Sequence, residues 1–279
     1  MLVMTATPIP RTLAMTMYGD LDISVIDELP AGRKPIKTVH FFENQRLRVF
    51  GFMRDEISKG RQVYVVFPLI KESEKLDLLY LEAGLENLQR EFPLPTFQIS
   101  IVHGKMTVKE KDFEMQRFVK GETQIMVATT VIEVGVNVPN ASVMVIENSE
   151  RFGLSQLHQL RGRVGRGAEQ SYCVLMSGNK LSKEGRTRLE TMVRTSDGFE
   201  IAEVDLQLRG PGDLSGTQQS GVVEMKIANL ATDQALLNEA RNRVIAIFKE
   251  DPNLSLPKNQ KLANYLNQRN PGISWDKIS

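Results

Sequence analysis

The sequence predicts an α/β protein, a parallel, doubly wound sheet followed by a mainly helical C-terminal extension. Three observations carry that prediction. Short β-branched runs recur between Gln62 and Ser177, they are apolar on both faces, and helical patterns fall between them. A strand covered by helices on both sides reads as a continuous apolar run rather than an alternating one. Strands that alternate with amphipathic helices join through parallel crossovers.

The elements follow in order. Residues 1–30 hold one strand around Leu2-Val3-Met4, a turn at Pro8 and Pro10, and a helix over 11–18, too little for a domain. No basic residue precedes that apolar run and two prolines interrupt it, so it is expected to be a buried strand followed by a turn rather than a signal peptide. A chain that opens in a core strand is expected to be a fragment. Residues 31–35, Ala-Gly-Arg-Lys-Pro, form a linker. Strands are expected at 63–67, 99–102, 125–128, 143–146 and 172–176. Leu78, Leu81, Leu85, Leu88 and Phe92 share one face of a helix between the first two. Thr107 and Glu110 form the capping box of another helix, which runs to about Lys120 and stops at Gly121. Beyond Gly178 the strand signal ends. One helix carries Leu189, Met192 and Val193, and Asp197 with Glu200 caps a second bearing Phe199, Ala202 and Leu206. A third carries Leu236, Leu237, Ala240, Val244, Ile247 and Phe248. The expected organisation is thus 1–30, 31–178 and 179–279.

Composition bounds the function. At 279 residues the chain has room for about two domains. Lys plus Arg is 35 against 34 for Asp plus Glu, which excludes a basic-tail DNA binder but leaves room for a local basic groove. With 41% hydrophobic and 25% charged residues the chain is globular rather than disordered. The single cysteine, Cys173, excludes an intrachain disulfide framework and a cysteine-based zinc site. A reducing, cytoplasmic setting is expected. No run approaches the roughly 18 apolar residues of a membrane helix, so no membrane partner is expected.

The densest chemical signal is Gln159-Leu160-Arg161-Gly162-Arg163-Val164-Gly165-Arg166-Gly167. Glycines let the backbone turn and approach a ligand, while guanidinium forks suit phosphate oxygens. Upstream, Thr129 and Thr130 stand at a strand end, where hydroxyls and backbone N–H groups can either meet a phosphate or simply cap a helix. His103 ends another strand, ahead of the capped helix, either facing a ligand or as an ordinary strand-end histidine.

The arginine cluster fits Q-x-x-G-R-x-G-R and resembles motif VI of superfamily 2 helicases and translocases. That resemblance implies a RecA-like domain. It places Arg163 and Arg166 as arginines reaching ATP on a partner domain, with Gln159 linking the nucleotide and DNA sites. The segment 128–139 resembles motif V, which implies ribose contact by Gly135 and Asn137 and DNA-backbone contact by Thr129 and Thr130. The family usually has Asp where this chain has Asn137. Thr5-Ala6-Thr7-Pro8 resembles motif III, so Thr5 and Thr7 are expected to couple the two motor domains. His103-Gly104-Lys105-Met106 fits the DNA-facing loop.

The wording around these motifs resembles the RecG family of branch-migrating DNA helicases. It includes Tyr18-Gly19-Asp20-Leu21-Asp22, Ile26-Asp27-Glu28-Leu29-Pro30 and Glu150-Arg151-Phe152-Gly153-Leu154-Ser155-Gln156-Leu157-His158-Gln159. Residues 197–221 are similar to a translocation element of that family, implying DNA coupling by Arg209, Gln218 and Gln219. Their alternative is a surface loop held by a structural arginine. The resemblance implies ATP and Mg²⁺ as cofactors and branched double-stranded DNA (stalled forks and Holliday junctions) as partner.

No Gly-rich phosphate loop ending in Gly-Lys-Ser/Thr occurs, since Gly104-Lys105 is followed by Met106. Ile26-Asp27-Glu28 mimics the acidic Mg²⁺ motif but follows motif III, the wrong order. The expectation is the C-terminal motor half of an ATP-dependent DNA translocase, lacking its wedge and first motor domains and without ATPase activity alone. No metal ligands are expected in it. The rivals are a transcription–repair coupling translocase and a non-catalytic nucleic-acid-binding module.

Overall fold

The structure, a computed structural model, describes residues 34–68, 74–129, 138–167, 169–209 and 234–269. Thr5, Thr7, Thr130, Gly135, Asn137, Gln218 and Gln219 lie outside these residues, as does the expected strand–turn–helix of 1–30. The chain forms two compact units. The described residues up to Arg209 belong to one and those from Gln234 onward to the other.

In the first unit the order is β1 (Lys37–Phe42), α1 (Arg46–Ser58), β2 (Gln62–Phe67), α2 (Glu74–Glu91), β3 (Ile99–Val102), α3 (Val108–Val119), β4 (Ile125–Thr129) and β5 (Ala141–Ile146). Then come α4 (Leu154–Arg161), β6 (Tyr172–Ser177), α5 (Lys183–Arg194) and α6 (Gly198–Arg209). The strands form one sheet in the order β1–β6–β5–β2–β4–β3, with every pairing parallel.

Successive residues of the central strands divide between two buried clusters, as the two-residue period of a strand requires. Tyr64, Val66, Met126, Ala128, Met144, Ile146, Cys173 and Leu175 face one way, onto Leu154, Leu157 and Leu160 of α4 and Leu189 and Met192 of α5. Val63, Val65, Phe67, Ile125, Val127, Val143, Val145, Val174 and Met176 face the other, onto Val49, Phe50 and Met53 of α1 and Leu81 and Leu88 of α2. The predicted doubly wound sheet is what forms. Gly84 lets α2 lie against the sheet, since a Cβ there would stand 2.4 Å from the Phe67 ring.

The capping box of α3 forms as expected. Glu110 N donates to Thr107 Oγ1 and Thr107 N donates to Glu110 Oε2 at 2.7 Å. Gly121, at φ +76, then turns the chain out. The cap of α6 differs from expectation. Asp197 Oδ1 accepts from Phe199 N at 2.8 Å, but Glu200 turns instead to Arg194, a stronger charge partner than a backbone amide. Helices α5 and α6, which the sequence alone assigns to the C-terminal extension, place Leu189, Met192 and Ile201 in the sheet's own buried cluster. Among the described strands and α-helices, four are additional to the sequence reading: the edge strand β1, helices α1 and α4, and a helix at Gln260–Arg269.

The second unit's described part is α7 (Gln234–Glu250), a single 3-10 turn and α8 (Gln260–Arg269). Buried Asp251 ties the connection between these helices. Its carboxylate accepts from Ser255 N, Leu256 N and Asn259 Nδ2, each at 2.8 Å, and from Ser255 Oγ at 3.1 Å. Burial opposes its ionisation, but these donors outweigh it and hold the carboxyl at about 2. No described helix is long and apolar enough to cross a membrane.

Candidate nucleotide and nucleic-acid edges

Strand β5 runs to the carboxyl edge of the sheet, and α4 brings the chain back to the amino edge. Gly153 N, ahead of α4, donates to Gln156 Oε1 at 3.1 Å, and Leu154, Leu157 and Leu160 bury the helix's apolar face. The glycine–arginine loop therefore leaves α4 at the amino edge, just before β6 begins at Tyr172.

Its arginines divide. Arg161 is only 3% exposed. Its guanidinium donates to the carbonyls of Met192 at 2.9 Å and Thr195 at 2.8 Å, and to His158 Nδ1 at 2.9 Å. It closes the end of α5 and serves the fold. Arg163 and Arg166 are half-buried, and both lie close enough to Tyr64 for their charges to act on its hydroxyl. Burial pushes the Tyr64 hydroxyl up to about 12, against the opposing field of Arg166 and Arg163.

Glycines set the path of this loop. Gly165 has φ +76, and a Cβ there would stand 2.8 Å from Ile36 Cγ1. At Gly167 a Cβ would stand 2.6 Å from the carbonyl oxygen of Pro139. The loop thus rests directly on the backbone that follows the 130–137 segment. Gln159, on α4, is exposed.

The carboxyl edge carries a different set. Thr129 ends β4 in register with Phe67 of β2. Val102 pairs with Ala128, so His103 and Thr129 follow neighbouring strands out of the sheet. Thr129 Oγ1 and His103 Nδ1 are both buried without a hydrogen-bond partner among the described residues. Orphaned buried polar atoms are uncommon, and a ligand would satisfy them. Close by, Met106 N donates to His103 O at 3.2 Å, closing the turn into α3.

The structure therefore brings Arg163 and Arg166 together, brings His103 and Thr129 together, and sets the two pairs on opposite edges. Arg209 is the last residue of α6, and its side chain is not among those described. Three residues at the amino edge were not singled out from the sequence: Tyr64, Arg61 and Glu169. Tyr64 reads as an ordinary core residue, and the other two are too far apart in sequence to signal a pair. Among the described residues no group of three or more His, Cys, Asp or Glu could hold a metal.

Two family profiles match in tandem. "Helicase conserved C-terminal domain" covers residues 45–168, and "ATP-dependent DNA helicase RecG, domain 3, C-terminal" covers 195–279. The chain is 52% identical to the ATP-dependent DNA helicase RecG of Aquifex aeolicus, over 91% of its own length and 32% of that protein's. This chain belongs to the RecG family. It is likewise 52% identical to the Escherichia coli RecG over 90% of its length, and it covers 36% of that relative. The solved structure of RecG bound to a three-way DNA junction matches with a TM-score of 0.64 and 46% identity, over 83% of this chain and 30% of that one. The chain thus spans about a third of the RecG relatives it matches, and its matched region corresponds to their helicase C-terminal domain and RecG-specific C-terminal segment.

Proposed function

We propose that this chain is the C-terminal motor half of an ATP-dependent double-stranded DNA translocase that remodels stalled replication forks and Holliday junctions. The carrying observation is the placement of Arg163 and Arg166 on a loop whose glycines rest against Pro139. Two guanidinium groups held at one sheet edge suit the charge that spreads over a phosphoryl group in transfer. ATP and Mg²⁺ would be held mainly by a first motor domain, since this sequence contains no phosphate loop. Gly135 and Asn137 would meet the ribose from this side, and Gln159 would link the two edges.

The carboxyl edge would face DNA. Thr129, Thr130 and His103 offer short polar groups to backbone phosphates, which makes binding phosphate-directed and salt-sensitive. Closing the cleft over ATP would then move this sheet, with its DNA-facing edge, against the first motor domain. Residues of the translocation element, Arg209, Gln218 and Gln219, would convert that closure into a step, with Thr5 and Thr7 coupling the domains. The setting of such a DNA-acting motor is the cytoplasm.

The test compares the isolated 279-residue chain with a longer chain that includes the preceding domains. The expected result is no turnover by the isolated chain and DNA-stimulated ATP hydrolysis by the longer one. A passive binding module would gain no hydrolysis in either form. Robust turnover by the isolated, pure chain would contradict the proposal.

A further inference from the structure

The loop that carries Arg163 and Arg166 is also held by charge, through Glu169, three residues beyond the second arginine. Glu169 Oε2 lies 3.1 Å from an Arg61 guanidinium nitrogen, across the amino edge of the sheet. Arg61 stands in the tight turn between α1 and β2, where Gly60 at φ +80 reverses the chain. That turn is itself anchored. Arg61 N donates to Glu56 O at 3.1 Å, and Asn140 Nδ2 donates to Gly60 O at 2.9 Å. Asn140 follows Pro139, the residue on which Gly167 rests. The α1–β2 turn, the start of β5 and the arginine loop therefore meet at one place.

The Arg61 head group is placed unusually. Its Nε is buried with no hydrogen bond among the described residues, 3.7 Å from Oε2 of Glu56, a buried carboxylate that Lys59 also reaches at 2.6 Å. The guanidinium leaves that inner bond unmade while its outer nitrogen engages Glu169. A group that served only to neutralise Glu56 would turn inward, because an unmade buried bond is costly.

We infer that Arg61 and Glu169 form a positioning pair that holds the arginine loop in register for the nucleotide. Neither residue touches the nucleotide; both act through Arg163 and Arg166. The inference rests on the arginine reading proposed above. Its size is bounded by exposure. The Glu169 side chain is 65% exposed and that of Arg61 20%, and a pair of this kind biases a loop by no more than about fivefold.

The experiment uses the intact protein that contains this chain and measures DNA-stimulated ATP hydrolysis, the KM for ATP, affinity for branched DNA and melting temperature. Glu169→Gln removes the charge at an exposed position and does not threaten folding. The expected result is a three- to fivefold lower kcat (about the limit for an exposed pair), with KM, DNA affinity and melting temperature unchanged. Arg61→Ala should lower kcat similarly, and adding Glu169→Gln to it should cost nothing more, because the pair is already broken. Additive losses, or a kcat for Glu169→Gln less than about threefold below wild type (short of the bias the pair is inferred to supply), would overturn the pairing. Arg166→Ala, run alongside, separates the two claims. If it abolishes hydrolysis while Glu169→Gln does nothing, the positioning pair fails and the arginine reading stands. If it leaves hydrolysis intact, the arginine reading itself fails.

Discussion

The two edges of this sheet are built in opposite ways. At the amino edge the arginine loop is fixed by close contact: Gly167 rests on a carbonyl, Gly165 sits against Ile36, and Arg61 reaches Glu169. At the carboxyl edge Thr129 and His103 each bury a polar atom with no hydrogen-bond partner among the described residues. A site that must present charge with fixed geometry is packed against backbone. A site that must close on a ligand keeps its hydrogen-bonding capacity open. Both follow from one parallel sheet, whose crossovers send α4 to one edge while β3 and β4 end at the other.

The sharpest way to break the amino edge is to lift its loop. Gly167→Ala places a methyl 2.6 Å from Pro139 O, so the loop must shift by several tenths of an ångström or more. The expected outcome is a fall of about 100-fold in DNA-stimulated kcat, as misplacement of positioned catalytic groups produces, with DNA affinity unchanged in a gel-shift titration. Arg161→Met distinguishes the loop's structural arginine from its neighbours. It strips a charged donor from the buried Met192 carbonyl and the half-buried Thr195 carbonyl and should destabilise the sheet unit by about 3 kcal/mol in urea unfolding. A loss below about 1 kcal/mol would show that Arg161 is not what closes α5.

The central strands and the edge strand β3 were legible in the sequence, and the other edge strand, β1, was not. β2, β4 and β5 are buried on both faces and read as unbroken apolar runs. β1, at the sheet's edge, alternates with exposed residues and contains Lys37, Thr38 and His40, so its signal falls to that of a loop. α1 was missed because Gly51 and a run of charges dilute its apolar face of Val49, Phe50 and Met53. The glycine–arginine loop was legible because glycine and arginine alternate within a few residues. Tyr64, which feels the charge of this loop, and the Arg61–Glu169 ion pair were not, since only the fold brings these residues near it.

A smaller effect separates the edges again. Thr129→Val replaces an unsatisfied hydroxyl with a methyl of equal size, so the fold should be unchanged or stabilised by up to about 1 kcal/mol. DNA affinity should fall about threefold to tenfold, the loss of one backbone hydrogen bond. A destabilised protein with unchanged DNA affinity would reverse the assignment of this edge.

Asp251 is the contrasting case, a buried polar group with every partner in place. Its folded pKa of about 2 lies below the ordinary value of 3.8. Its contribution to the second unit is therefore complete above pH 3.8 and is lost as the pH falls through about 2. Amide exchange at residues 251–260 should be slow and pH-corrected rates constant down to pH 4, then accelerate toward pH 2. In Asp251→Ala the exchange should be fast throughout, with no such acceleration.

The central claim is that the amino edge serves ATP and the carboxyl edge serves DNA. It is tested most directly by measuring ATP hydrolysis and branched-DNA binding together in the intact protein, for wild type, Arg163→Ala and Arg166→Ala. The account predicts a DNA-stimulated rate that falls by about a thousandfold or more in both variants, with DNA affinity retained. Unchanged hydrolysis combined with weakened DNA binding would contradict it and move the arginines to the DNA-facing side.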